Sequence, residues 1–175
     1  MTSHRSPLRD LVLAALFLAL GLMLPFLTAQ IPEIGSMLLP MHIPVLLCGF
    51  VLGWKWGLAV GFITPLFRTL LFSLPPLLTA LPMAFELAAY GILTGLLYHL
   101  FRRKPVSVYL ALILAMLGGR LVWGAARFVM FFFGTEFSLP LFIAGAFTNA
   151  LPGMILQLVL IPPLVLALRR LKVMD

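Results

Sequence analysis

The middle of the chain reads Gly118-Gly119-Arg120-Leu121-Val122-Trp123-Gly124-Ala125-Ala126-Arg127. This stretch lies inside an apolar run, from about residue 106 to residue 133, that is long enough to cross a bilayer yet carries two arginines. An arginine at the centre of a membrane helix costs roughly 3 kcal/mol, so this pair is not explained by packing. Because seven residues make about two helical turns, Arg120 and Arg127 share one helix face. The pattern predicts a polar face turned into the protein and onto a ligand.

The composition is that of an integral membrane protein. Of 175 residues, 63% are hydrophobic and 10% are charged, and the mean hydropathy is +1.16. We therefore expect a single transmembrane domain over residues 1–175. The formal net charge of +7 does not indicate a nucleic-acid partner, because the basic residues form short clusters between apolar runs, where they set topology. The single cysteine, Cys48, is interpreted as a small buried hydrophobic residue.

Apolar runs and helix breakers predict an all-α protein with six membrane-spanning helices. Their expected bounds are about 8–28, 38–53, 58–74, 77–101, 106–133 and 139–168. Lysines and arginines cluster at both chain ends and in the loops of one side, whereas the loops of the other side carry only Glu33 and Glu136 as charges. By the positive-inside rule, both termini are expected to be cytoplasmic and the loops around Glu33, Pro75 and Glu136 to face outward.

Polar side chains from several predicted spans fall at similar depths. At about 1.5 Å of rise per residue, the expected depth is the outer half of the membrane for four of them and the midplane for Arg120. The four are Arg68, Glu86, Arg127 and Asn149. Three arginines against one glutamate leave excess positive charge in a region of low dielectric constant. An anionic ligand, most simply a carboxylate, would balance that charge.

Each of these residues also has a purely structural interpretation. One arginine could pair with Glu86 while another extends toward the membrane interface. Glu86 suits a structural ion pair better than proton transport, since no relay of acids and histidines accompanies it. His42, at the outer start of the second span, could contact substrate or cap a helix. Asn149 could bind a polar ligand group or bond a neighbouring helix.

Several enzyme motifs are absent from the sequence. It contains no GxxxxGK[ST], HExxH, GxSxG or cysteine cluster, so we expect neither an enzyme nor a bound cofactor or metal. Two non-enzymatic functions remain open from the residues alone. One is capture of a small solute, and the alternative is a stand-alone carrier or channel with an arginine-lined pathway.

The chain resembles the substrate-binding S-components of energy-coupling factor (ECF) importers, which are ABC-type vitamin importers of prokaryotes. The resemblance rests on size, the six predicted helices and three segments of sequence. These are Met37-Leu38-Leu39-Pro40-Met41-His42-Ile43-Pro44-Val45-Leu46-Leu47-Cys48-Gly49-Phe50, Phe67-Arg68-Thr69-Leu70-Leu71-Phe72-Ser73-Leu74-Pro75-Pro76-Leu77 and Met83-Ala84-Phe85-Glu86-Leu87-Ala88-Ala89-Tyr90-Gly91.

The resemblance implies specific partners and a mechanism. An AxxxA motif on the first helix of the family contacts the membrane coupling subunit, and Ala15 and Ala19 occupy that pattern here. The subunit would lie in the prokaryotic cell membrane, capture a vitamin from outside beneath the loops at 30–39 and 134–138, and topple to release it inward. Two ATPase subunits would drive this step. The arginines favour an acidic vitamin, and the branch looks most like the pantothenate-type members, although folate, pyridoxine and cobalamin subunits share the scaffold.

Overall fold

The computed structural model describes residues 6–28, 31–101, 104–136, 138–171 and 174. All regular structure within these ranges is helical, which confirms the expected all-α class. The elements, in chain order, are α1 (Pro7–Met23) with a 3-10 turn (Leu24–Thr28), α2 (Pro32–Leu38), α3 (His42–Leu52), α4 (Trp54–Phe72), α5 (Leu77–Leu100), α6 (Pro105–Phe131), α7 (Leu139–Ile143) with a π-helical turn (Ala144–Thr148), and α8 (Leu151–Arg170).

Serine and proline mark the helix starts. The side chain of Ser6 accepts a hydrogen bond from the Arg9 backbone N–H, and Pro7 follows as the first helical residue of α1. The hydroxyl of Ser138 caps α7 in the same way, by accepting from the Leu141 N–H. Such side chains satisfy backbone donors that have no partner inside the helix, and proline at the first position has no donor to satisfy.

The short helix α3 forms the centre of the bundle. Every residue from His42 to Val51 is buried, and α1, α4, α5 and α8 all pack around it. A helix that is apolar on all sides belongs in the interior, and the run from Val45 to Cys48 meets that condition. The position of α3 places its first residue, His42, among the neighbouring helices rather than at the molecular surface.

Four helical segments are long and apolar enough to cross a membrane, namely Pro7–Leu27, Leu77–Leu100, Pro105–Phe131 and Leu139–Arg170. The chain is therefore a multi-pass membrane protein. With 11 residues, α3 is shorter; it extends about 16 Å, against roughly 30 Å of hydrocarbon. Lys55, Pro65 and Arg68 reduce the apolar character of α4. The expectation of six complete spans is thus not confirmed over the described residues.

Three predicted boundaries differ from the structure. The expected second span, 38–53, contains the end of α2, a left-handed residue at Leu39 and then α3 from His42. The third span begins at Trp54 and not at 58, because the turn is made at Gly53 with φ of 87°. The sixth span, expected as one helix over 139–168, is interrupted by the π-helical turn and by Asn149 and Ala150.

Glycines bring α4 and α5 into backbone contact. A Cβ atom built on Gly57 would lie 2.5 Å from the carbonyl oxygen of Gly91, so neither position has room for a side chain. A Cβ on Gly61 would likewise collide with the backbone of Leu87. Small residues permit this approach in membrane helices. The close pairing fixes Arg68 on α4 relative to Glu86 on α5.

Candidate functional site

A cavity of about 490 Å³ lies above the start of α3. Its walls come from the turn after α1, from α2, from the α4–α5 connection and from α5 and α6. Most of its lining is apolar, and the polar groups come from Glu33, His42, Arg68, Thr79 and Glu86. The non-helical backbone at Leu39, Pro40 and Met41 also lines it. Irregular backbone is tolerated in membrane proteins where it borders such a cavity, so the late start of α3 is compatible with a position inside a membrane.

A buried cluster centred on Glu86 lies next to the cavity, and its members Glu86 and His42 line the cavity floor. The Oε1 atom of Glu86 lies 2.7 Å from Nη1 of Arg120 and accepts a hydrogen bond of 3.0 Å from the hydroxyl of Tyr90. Nε2 of His42 lies 3.7 Å from the same oxygen, and the His42 and Tyr90 rings are 5.4 Å apart. All four side chains are buried. One carboxylate oxygen therefore connects α3, α5 and α6.

Several nitrogens of this cluster have no hydrogen-bond partner. Among the described residues, these are both ring nitrogens of His42 and the Nε and Nη2 atoms of Arg120. Buried polar atoms are nearly always hydrogen-bonded, to protein, water or ligand. His42, which lines the cavity, can thus hydrogen-bond a bound molecule, while the charge of Arg120 is already balanced by Glu86.

Arg68 is buried in the cavity wall. Its Nη1 donates to the carbonyl oxygen of Leu22, at the end of α1, over 2.5 Å. Its guanidinium also lies 5.1 Å from the ring of Phe26 and 5.4 Å from the ring of Phe72. Among the described residues, no carboxylate lies within ion-pair distance of it. Arg68 therefore brings a positive charge to the cavity that these contacts do not neutralise.

The other predicted site residues lie elsewhere. Arg127 is half-buried at the end of α6, beside the loop that leads to α7, and is not in the cavity lining. Asn149 is exposed between the π-helical turn and α8, also outside the lining. Arg120 lies behind Glu86. The structure thus brings His42, Glu86 and Arg68 into the cavity lining, pairs Arg120 with Glu86 outside that lining, and places the remaining two apart from it.

Two residues at this site were not predicted. Tyr90 follows Glu86 by one helical turn, and Trp123 follows Arg120 by about one turn, so each faces the same side as its polar neighbour. Tyr90 bonds Glu86 and Trp123 lines the cavity. The helical spacing of aromatic residues next to buried charges was the signal that could have identified them.

Ala15 and Ala19 lie on the exposed face of α1. The opposite face packs into the bundle through Ala14, Phe17 and Gly21. Large apolar side chains surround the two alanines on the exposed face, among them Leu11, Leu16 and Leu20. The small pair is therefore accessible to another membrane helix or to lipid.

Comparison with known proteins adds one finding. A family model described as the substrate-specific component of ECF transporters matches residues 9–165, a range that contains every residue of the cavity lining. No curated protein and no solved structure gives a significant match. The chain therefore belongs to the family of ECF transporter substrate-specific components, multi-pass membrane subunits that bind a substrate and work with separate coupling and ATPase modules.

Proposed function

We propose that the chain captures a small vitamin bearing one carboxylate, with pantothenate as the first candidate, in the cavity above α3. Capture occurs from the outer face, and delivery inward requires a membrane coupling subunit and two ATPase subunits. The observation that carries this proposal is the cavity itself, which combines an arginine in its wall with a floor of hydrogen-bonding groups.

The size and lining of the cavity support a small amphipathic ligand. Ligand pockets commonly measure about 300–1,000 Å³ and are mostly apolar with a few polar groups that orient the ligand. The volume of about 490 Å³ and the mostly apolar lining agree with that pattern. They favour a molecule of vitamin size over an inorganic ion.

The pairing of the arginines indicates which of them a ligand carboxylate contacts. Arginine has five N–H donors, and the contact to Leu22 uses the Nη1 end of Arg68. Arg120 is already paired with Glu86, so a ligand carboxylate gains more from Arg68. The N-terminal end of α3 also borders the cavity at Met41 and His42 and adds a favourable potential for an anion.

Pantothenate has chemical groups for each part of this site. Its carboxylate suits Arg68, its hydroxyls and amide suit His42 and Glu86, and its two methyl groups suit apolar walls such as Met41 and Met83. The sequence suggested Arg120 or Arg127 as the contact for the ligand carboxylate. In the arrangement proposed here, that contact is Arg68.

Calorimetric titration of the purified full-length protein in mild detergent tests the assignment. Because a charge-assisted hydrogen bond contributes about 1.5–3 kcal/mol, Arg68→Gln is expected to weaken pantothenate binding by roughly 10- to 150-fold. Arg170→Gln, the same change at the exposed end of α8, should leave the affinity unchanged. Panthenol, which has an alcohol in place of the carboxylate, should bind wild type and Arg68→Gln equally weakly.

Two results would overturn parts of this proposal. Unchanged pantothenate affinity in Arg68→Gln would remove Arg68 as the carboxylate contact. If the wild-type protein does not bind pantothenate, mass spectrometry of the molecule that co-purifies with the protein identifies the substrate. A neutral or cationic vitamin at that point would contradict the acidic assignment.

We also propose that the exposed alanines on α1 form the contact with the coupling subunit. Small residues let helix backbones approach closely in a membrane, and Ala15 and Ala19 lie one turn apart on the exposed face. Both termini are cytoplasmic in this arrangement, and the cavity opens outward. The clusters of basic residues at the chain ends support that orientation.

A further inference from the structure

We propose that the bundle has a second binding site, at the far end of α3 from the first cavity, which takes the headgroup of a phospholipid that carries a primary ammonium group. This inference goes beyond the proposed function, because its ligand is a lipid of the surrounding membrane and not the captured vitamin. It uses the proposed orientation in one respect only, namely that this end of the bundle lies at the inner leaflet.

A second cavity, of about 640 Å³, lies where the ends of three helices meet. Its walls come from residues 49–52 of α3, from residues 95, 96 and 98–100 of α5, from the turn at residues 53 and 54, and from Asp10 in the first turn of α1. Helix α3 begins at the first cavity with His42 and ends at this one with Leu52. The two cavities are therefore separated by the length of α3.

Two polar side chains of the second cavity have no hydrogen-bond partner among the described residues. One is Tyr98, which is only 3% exposed and packs edge-on against Phe50 with ring centroids 5.3 Å apart, while its hydroxyl remains unbonded. The other is Asp10, whose Oδ1 atom is buried and unbonded. Asp10 precedes the buried Ala14 by one helical turn, on the face of α1 that packs into the bundle. Buried polar atoms are nearly always bonded, so this pair indicates a polar ligand.

The charges around this pair favour a cation. The C-terminal ends of α3 and α5 lie in the cavity wall, and the last carbonyl groups of a helix carry partial negative charge. The carboxylate of Asp10 adds a full negative charge. No lysine or arginine is present among the described residues of the lining, and His99 is exposed. A primary ammonium has three N–H donors, which suit the carboxylate, the Tyr98 hydroxyl and a helix carbonyl.

The rim of the same cavity favours an anion. Helix α4 begins at Trp54, in the cavity wall, and no side chain caps its N-terminal backbone donors. Lys55 follows and is exposed, with its Nζ atom 5.7 Å from the centre of the Trp54 ring. Uncapped helix N-termini and lysines both favour phosphate. A place for an ammonium group therefore lies next to a place for a phosphate group, as in the zwitterionic headgroup of phosphatidylethanolamine.

The surroundings of the cavity favour a lipid over a soluble amine. Leu96 and Leu100 line the cavity and are 45% and 70% exposed, so an acyl chain can continue from the cavity along α5. Trp54 and Lys55 are residue types found at the membrane–water boundary. Phosphatidylethanolamine combines the ammonium, the phosphate and the acyl chains that these groups would contact. Phosphatidylcholine has the same phosphate and chains but no N–H donor.

Native mass spectrometry of the full-length protein in mild detergent tests the site without a vitamin. The protein is titrated with phosphatidylethanolamine or with phosphatidylcholine of identical acyl chains. Wild type should prefer phosphatidylethanolamine about tenfold, the factor expected for one charge-assisted hydrogen bond. Asp10→Asn should abolish this preference, and Tyr98→Phe should reduce it about threefold, as for a neutral hydrogen bond. Lys55→Gln should weaken both lipids equally, because they share the phosphate.

Glu136→Gln is the matched control, since it removes the same charge from an exposed position in the loop after α6. It should bind both lipids as wild type does. If Asp10→Asn has no cooperative melting transition, Tyr98→Phe takes its place in the comparison, and an unchanged lipid preference in that variant would then overturn the proposal.

Three further results would overturn the proposal. The first is equal affinity of wild type for the two lipids, and the second is a preference that persists in a folded Asp10→Asn. The third is binding of soluble ethanolamine as tight as that of the lipid, which would assign the cavity to a free amine. Because no vitamin is used, a failure of pantothenate binding would leave these results unaffected, and a failure of lipid selectivity would leave the proposed capture function intact.

Discussion

At the residue scale, Glu86 holds together the buried polar cluster next to the cavity. It lies on α5 between His42 of α3 and Arg120 of α6. Its Oε1 atom is close to both of these side chains and to the hydroxyl of Tyr90. Removing one partner of a buried ion pair leaves an uncompensated charge, whereas replacing both partners with neutral groups often costs little. The pair is therefore expected to orient the site more than to add net stability.

Arg120→Met is expected to lower the free energy of unfolding by about 3 kcal/mol, because it leaves the Glu86 charge buried without its cation. The double variant Arg120→Met/Glu86→Gln should recover at least half of that loss. Thermal unfolding in one detergent, followed for both single variants and the double variant, measures the coupling. Additive losses in the double variant would show that the two side chains do not act as a pair.

The sequence was enough to name most of the polar residues near the cavity, but not to predict their contacts with one another. The depth argument pointed to Arg68, Glu86, Arg120, Arg127 and Asn149, and His42 was a candidate from its place at the start of a span. The structure puts His42, Arg68 and Glu86 in one cavity lining and pairs Arg120 with Glu86. Counting residues along a helix gives depth but not the direction in which neighbouring helices face. For that reason the sequence could not decide which arginine pairs with Glu86, and it grouped Arg127 with the ligand contacts. These assignments remain predictions until binding is measured.

At the scale of elements, α4 and α5 are in backbone contact at their glycines. Gly57→Ala would place a methyl group 2.5 Å from a backbone oxygen of Gly91, so the two helices must separate. We expect the free energy of unfolding to fall by about 2–3 kcal/mol, as for other overpacked positions, and the melting temperature in detergent to fall with it.

Gly118→Ala is the matched control for that experiment. Its new methyl group would meet only the end of the flexible Leu93 side chain, which can move aside. The control should therefore melt close to wild type. If both variants melted alike, the backbone contact between α4 and α5 would not have the importance assigned to it.

The exposed face of α1 gives a prediction about assembly. Ala15→Leu/Ala19→Leu should weaken association with the coupling subunit by at least about tenfold, because the small residues no longer admit a second backbone. Ala167→Leu, a similar exposed change on α8, should not. Co-purification with the coupling subunit measures the effect, and unchanged pantothenate binding shows that the cavity is intact. Equal recovery of all variants would place the interface elsewhere.

The long helices were predictable because sustained apolar runs bounded by proline, glycine or charge leave few alternatives. α5 and α6 lie within a few residues of their expected bounds. The late start of α3 was not predictable, since the apolar pattern from residue 38 continues through a left-handed residue at Leu39. The π-helical turn was missed for a related reason. Its residues remain apolar, and the contacts of Phe142 and Gly145 with Trp123 beside the interruption come from a different helix, which periodicity along the chain does not reveal.

At the scale of the whole molecule, orientation is the next prediction. Glu136→Cys should react with a membrane-impermeant thiol reagent in intact cells, whereas Lys104→Cys should react only in permeabilised cells. Both positions are exposed, and native Cys48 is fully buried and should stay unmodified. The reverse pattern of labelling would invert the topology and place the cavity on the cytoplasmic side.

Dependence on partners tests the central claim most directly. The measurement is accumulation of radiolabelled pantothenate in liposomes that contain the chain alone or the chain with the coupling subunit, both ATPase subunits and ATP. We predict that the chain alone binds the vitamin without accumulating or exchanging it across the membrane, and that uptake requires the complete assembly. Transport by the chain alone would contradict a capture subunit and establish a stand-alone carrier.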